Sequence, residues 1–225
     1  MLLHGAIGSS AQMEPLKQLL EKDFNVLSLD FSGHGGKPYS DQDFSIPSFA
    51  ADALRFLDEE NIDQTHIFGY SMGGYVAMYL AKHHPERVGK VVTLATKYHW
   101  DEPTAEKEVQ MLNPEKIESK LPAFAAALGR RHEPNDWKDL LHRTAIMLKG
   151  LGAKNTLNIE DYKEILHRSL ILIGDRDKMI TLEETVNVYK ALPNGQMGML
   201  PNTPHPIEQV NNDALVFLVR QFLQS

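Results

Sequence analysis

Residues 65–80 read THIFGYSMGGYVAMYL. Thr65 to Phe68 favour a β-strand, and after them Met72, Val76, Tyr79 and Leu80 recur at helical spacing. Between lies Gly69-Tyr70-Ser71-Met72-Gly73-Gly74. A strand, a tight turn carrying a serine, and a helix form the context in which a G-x-S-x-G pattern has chemical meaning. A serine at so sharp an apex is forced toward positive φ, at a cost of ~1–3 kcal/mol. Its neighbours two positions away must lack Cβ, and Gly69 and Gly73 do. The turn exposes Ser71 Oγ at a helix N-terminus, where the Met72 amide can point at a developing oxyanion. On its own the pentapeptide is equally a glycine-rich turn with no chemistry, so the rest of the chain decides.

Upstream, Met1-Leu2-Leu3-His4-Gly5-Ala6-Ile7-Gly8 reads as the end of a buried strand and a glycine-containing loop. Ser9 or Ser10 can cap a helix to about Lys22. Phe24–Phe31 looks like a buried strand. Residues 32–37, SGHGGK, are loop by composition and lack the GxGxxG spacing of a nucleotide site. Ser45 caps a helix from about Pro47 to Glu60. Leu2–Leu3 is expected inside the sheet, between the 24–31 and 65–69 strands, with 24–31 as an edge.

Downstream, His83-His84 reads as a solvated helix end rather than a ligand pair. Val88–Ala95 is another apolar strand, and alternating strands and helices argue a parallel sheet covered on both faces. From Lys97 to about His167 no strand is clear. Helices fit Thr104–Leu112, Pro114–Leu128, Pro134–Leu151 and a short piece near Glu160–Leu166. This gives a core of 1–95 and 168–225 with a helical cap, 96–167, over the strand ends, where open α/β sheets bind ligands. Trp100, Phe124 and Met147 are candidate walls of an apolar pocket beneath it. Ser169–Gly174 restores the sheet and runs into Asp175-Arg176-Asp177. A helix fits Leu182–Ala191 and a weaker strand Gln196–Leu200. His205 then stands in a loop between Pro204 and Pro206, before a last helix over Ile207–Leu223.

Composition sets the bounds. The chain has 225 residues, 42% hydrophobic and 24% charged, a net charge of −7 and no cysteine. It fits one domain with an insertion. It offers no basic stripe for nucleic acid, no apolar run of roughly 18 residues for a membrane span, and no thiol chemistry. No leader pattern precedes the first motif, so a cytoplasmic protein is expected. No HExxH or paired Cx₂C spacing points to a metal.

Serine at a turn, aspartate after a later strand and histidine in a loop after the last strand follow the order Ser…Asp…His. With HGAIG at 4–8, DFSGHG at 30–35, GYSMGG at 69–74 and GDRD at 174–177, the chain resembles the α/β-hydrolase superfamily on its small esterase-like side. The resemblance runs from Leu2 to the C-terminus and is weakest across the insertion. It implies a three-layer α/β/α fold with a mostly parallel sheet and a helical cap. Members usually carry strands before the HG loop, and here the chain starts at that strand. The resemblance further implies Ser71 as nucleophile, His205 as base, Asp177 as its orienting acid, and the amides of Ala6 and Met72 as the oxyanion hole. Free serine needs an adjacent base, and histidine titrates where it can both accept and donate a proton. Asp175, first past the strand, is expected in turn contacts or against Arg176, and the family spacing of glycine, two residues, then acid selects Asp177.

Three functions stay open. The first is hydrolysis of small carboxylic esters through an acyl-enzyme, with no cofactor. The second is a lyase or C–C hydrolase, which for multiply anionic substrates would want arginines such as Arg130, Arg131 or Arg143 in the pocket. Tyr75 stands where the menaquinone-pathway lyase group tends to carry arginine. The third is a non-catalytic receptor for a small ligand.

Overall fold

A computed structural model describes residues 1–225. Five strands, β1 (Leu2–Leu3), β2 (Thr65–Tyr70), β3 (Val88–Leu94), β4 (Ser169–Gly174) and β5 (Gly195–Leu200), form one parallel sheet in that order. Its residues alternate between faces, as a pleat of period two requires. Ile67, Val91 and Ile171 join one core cluster; Phe68, Val92, Leu170 and Leu172 join the other. Helices α2 (Ile46–Glu59), α3 (Met72–His83) and α9 (Leu182–Ala191) supply Phe49, Leu57, Val76, Met78 and Val188 to the first cluster. Helices α1 (Glu14–Leu20) and α10 (Asn212–Gln224) supply Leu16, Leu20, Val219 and Phe222 to the second. Because each strand is added beside the last in one direction, crossovers of one hand put α3 and α9 on one face. This is a three-layer α/β/α arrangement with a parallel sheet, as the resemblance implied.

Between β3 and β4 the chain is helical: α4 (Glu102–Val109), α5 (Pro114–Lys120), α6 (Pro122–His132), α7 (Trp137–Ala153) and α8 (Ile159–Lys163). The single helix expected over 114–128 is two, because Pro122 can neither donate to the ladder nor follow helical backbone comfortably. Asp136, not Pro134, starts α7 by accepting from Lys138 N.

Other departures have equally local causes. The expected helix over 10–22 is a 3-10 turn, Ser10–Met13, followed by α1, whose first turn accommodates Pro15. The last helix is likewise divided by Val210-Asn211, where Asn211 recaps the chain by accepting from Ala214 N. That break shifts the buried phase to Leu215 and Val219, leaving Ala214 and Leu218 only partly covered. The expected strand over 24–31 is reduced to one parallel bridge, Ser28 to Leu2. Its donors go elsewhere: Phe31 N bonds the His4 ring, and beyond it Ser32 N bonds the buried Asp52 carboxylate at 2.7 Å. A two-residue β1 offers little to pair with, and β2 is its ladder partner on the other side.

Candidate active site

Ser71 has φ 52° and ψ −117°, a sterically costly conformation for a serine. Its surroundings hold it there. Ser71 N donates to Leu94 O at 2.9 Å, and Thr96 Oγ1 donates to Ser71 O at 3.1 Å. A Cβ on Gly69 would collide with the Gly73 carbonyl, and one on Gly73 with the Leu3 carbonyl. The two glycines therefore let β2, α3 and β1 approach at one point, beneath the serine.

Asp177 and His205 are joined. His205 Nδ1 donates to Asp177 Oδ2 at 2.8 Å, with the aspartate side chain fully buried. The other carboxylate oxygen accepts from Met179 N at 2.8 Å and Ile180 N at 3.0 Å. Burial alone would raise the Asp177 pKa. The His205 hydrogen bond and charge and the two amides outweigh it, so the acid is held below its usual range. With Nδ1 donating, His205 keeps Nε2 as the proton acceptor. Tyr70 OH bonds the His205 carbonyl at 3.0 Å. Asp175 does a different job. Its Oδ1 accepts from Thr203 N at 3.1 Å, tying down the histidine loop, and its Oδ2 lies 3.7 Å from Arg176.

The HG loop runs beside the serine: a Cβ built on Gly5 would lie 3.2 Å from Ser71 Cβ. The amides of Ala6 and Met72 donate to no protein acceptor. Ile7, β-branched yet at φ 52°, follows Ala6. Its carbonyl is gripped by the end of α6, with His132 Nε2 at 3.0 Å and Arg131 Nη1 at 3.2 Å. His132 Nδ1 accepts from Gly35 N at 3.1 Å, so the proton sits on Nε2. Just beyond α6, Asn135 donates to Gly33 O and Lys37 O. His4 is fixed in the opposite tautomer, Nδ1 donating to Gly5 O at 2.8 Å and Nε2 accepting from Phe31 N at 3.2 Å. Burial lowers the pKa of His4 to about 4 and depresses His34 and His132 as well. These are structural neutral histidines.

A cavity of about 560 Å³ opens on this group. Ser71, His205, Ala6 and Met72 line it together with Trp100, Phe124 and Met147, so α6, α7 and the segment after β3 wall the serine's surroundings. Phe124 stands at the exposed end, 37% accessible, and Met147 inside. Of the three arginines weighed from sequence, Arg131 alone lines the cavity, bound to Ile7 O and 3.7 Å from Glu208. Arg143 pairs with Asp139. No group of three or more His, Asp or Glu side chains is placed to hold a metal ion. Thr96, Tyr70 and His132, and the bond from Gln12 to Glu208, shape the site without any sequence signal, because these partners lie far along the chain. Gln12 also accepts from Ser9 N, which is the local S-x-x-Q capping box.

Residues 1–144 match the model of the α/β-hydrolase fold family. The chain belongs to that family. It is 26% identical over its whole length to a protein named "Putative non-heme chloroperoxidase" from Synechocystis, 90% of which is covered. It is 33% identical to the esterase YbfF of Escherichia coli over 94 residues, 42% of this chain and 37% of that one. Among solved structures it superimposes on a meta-cleavage product hydrolase from Pseudomonas fluorescens with a TM-score of 0.81 at 19% identity, covering 99% and 89% of the two chains. No helix is long and apolar enough to cross a membrane.

Proposed function

We propose that this protein is a serine hydrolase of small carboxylic esters, working through an acyl-enzyme. The observation that carries the reading is the Asp177-tethered His205 on the same cavity as Ser71, with the unspent Ala6 and Met72 amides beside it. In this scheme His205 Nε2 takes the Ser71 proton as Oγ attacks the ester carbonyl. The carbonyl oxygen becomes an oxyanion, received by the two amides. His205 then returns the proton to the leaving alkoxide, and a water repeats the cycle on the acyl-serine. One oxyanion donor is worth roughly 3–4 kcal/mol of barrier. The mostly apolar cavity suits the hydrocarbon part of an ester.

A lyase or C–C hydrolase on the same scaffold fits less well, because the one arginine at the cavity is already occupied by Ile7 O and Glu208. Tyr75 OH is bonded to Asn155 and Leu157 and is not free for substrate. A fluorophosphonate probe tests the proposal. It should label the wild type and not Ser71→Ala, and the wild type should turn over p-nitrophenyl esters that the variant leaves intact. Labelling that survives in Ser71→Ala would remove Ser71 as nucleophile. A labelled protein inert to every ester would favour a non-catalytic receptor.

A further inference from the structure

Lys97, Trp100 and Glu108 are among the polar side chains on the cavity that have no part in the chemistry just described. Glu108, on α4, is 4% exposed, and its Oε1 has no hydrogen-bond partner. The Trp100 indole N–H is buried and also without an acceptor. Lys97 Nζ donates to Met179 O at 2.6 Å and stands 3.5 Å from Glu108 Oε1. That second distance permits charge attraction but only a poor hydrogen bond. The same ammonium lies 6.0 Å from the Trp100 ring centroid, so the three form one cluster. Met179 belongs to the loop that cradles Asp177, which places the cluster on the acid's side of the cavity.

A pair whose only task was to tie α4 to the core would be expected to saturate its hydrogen bonds, because an unmet buried donor or acceptor is costly. Here one carboxylate oxygen and one indole N–H are both unmet within an otherwise largely apolar enclosure. A few polar groups in an apolar pocket are what orient a ligand.

We propose that Lys97, Trp100 and Glu108 form a polar subsite for an uncharged hydroxyl or primary amide that the substrate carries in addition to its ester. The proposal rests on the serine-hydrolase reading and narrows its substrate class from plain alkyl esters to functionalised ones. The ligand group must accept from the indole or the ammonium and donate to the carboxylate, and a hydroxyl or primary amide does both. The Lys97–Glu108 pair is neutral as a unit. A substrate carboxylate would face Glu108, and a substrate amine would face Lys97, each adding an uncompensated charge in a buried place.

Ethyl esters of ω-hydroxy acids and of the matching alkyl acids, spanning about four to eight carbons, test the subsite by their kcat/KM ratio at each length. At the length that fits, the hydroxy ester should be preferred by ~10–100-fold. The preference should vanish in Lys97→Met/Glu108→Leu, which replaces the pair by apolar groups of similar shape. It should shrink in Trp100→Phe, which removes the N–H together with part of the ring's apolar volume. That loss is felt by both esters of a length and largely cancels in their ratio, so this variant carries the test if the double variant does not fold. A ratio at or below one at every length, or one unchanged in these variants, overturns the proposal. Calorimetric binding of the same esters to Ser71→Ala reads the subsite without turnover. Tighter binding of the hydroxy ester, lost in the subsite variants, supports the subsite even if the wild type hydrolyses nothing. Equal binding of the two esters refutes it.

Discussion

Two aspartates two residues apart show how finely a single position is specified. Asp175 holds Thr203 N, and Asp177 holds the His205 ring. Asp177→Asn should fold but lose roughly 10⁴-fold in kcat, because the amide no longer fixes the histidine tautomer or offsets the imidazolium. Asp175→Asn keeps an oxygen for Thr203 N and should lose far less. Steady-state kinetics of both variants on one ester decide the matter, and a crippled Asp175→Asn would reverse the assignment. Gly73 is equally constrained for a steric reason. Its missing Cβ is the space occupied by the Leu3 and His4 carbonyls, which are backbone and cannot rotate aside. Gly73→Ala should cost at least ~2 kcal/mol, measured by denaturant unfolding.

At the scale of elements, the end of α6 acts on the HG loop. His132 and Arg131 grip the carbonyl of Ile7, a residue at costly positive φ, next to the Ala6 amide. A loop under strain keeps its shape only while its partners over-determine it. His132→Leu should therefore let the Ala6 amide drift, lowering kcat by about tenfold with little change in KM, the signature of an interaction felt mainly in the transition state. His132→Gln, which can still donate to Ile7 O, should recover part of the loss. Equal effects of the two substitutions would mean that packing, rather than the hydrogen bond, is what His132 contributes. Neither partnership could be read from the chain. The two ends lie 125 positions apart, and an arginine and a histidine at a helix C-terminus are also what the helix dipole alone would favour.

Across the whole molecule, three histidines buried neutral near the HG loop couple stability to pH. Unfolded, each would titrate near 6.5; folded, His4 sits near 4, and His34 and His132 are also depressed. The unfolded state therefore binds more protons between these values. Stability is complete above about pH 6.5 and is lost as the pH falls through that value toward 4, by an amount on the order of a few kcal/mol. The melting temperature should fall steadily from pH 7 to 5, and a flat profile over that range would contradict the assignment of neutral buried imidazoles.

The parallel sheet and the sharp strand-to-helix turn at Ser71 were legible in the chain because each depends on neighbours in sequence. The glycines flank Ser71, and β4 is an unbroken apolar run. Ser45 as a cap was legible for the same reason. Where local signals competed, the reading slipped: Phe24–Phe31 is apolar enough for a strand, yet β1 is too short to form a ladder with it. The grip of α6 on Ile7, the pin from Asp175 to Thr203 and the buried Lys97–Glu108 pair were decided only by the tertiary structure. A polar side chain's partner is set by where remote elements pack, and no periodicity or spacing in the chain encodes that distance.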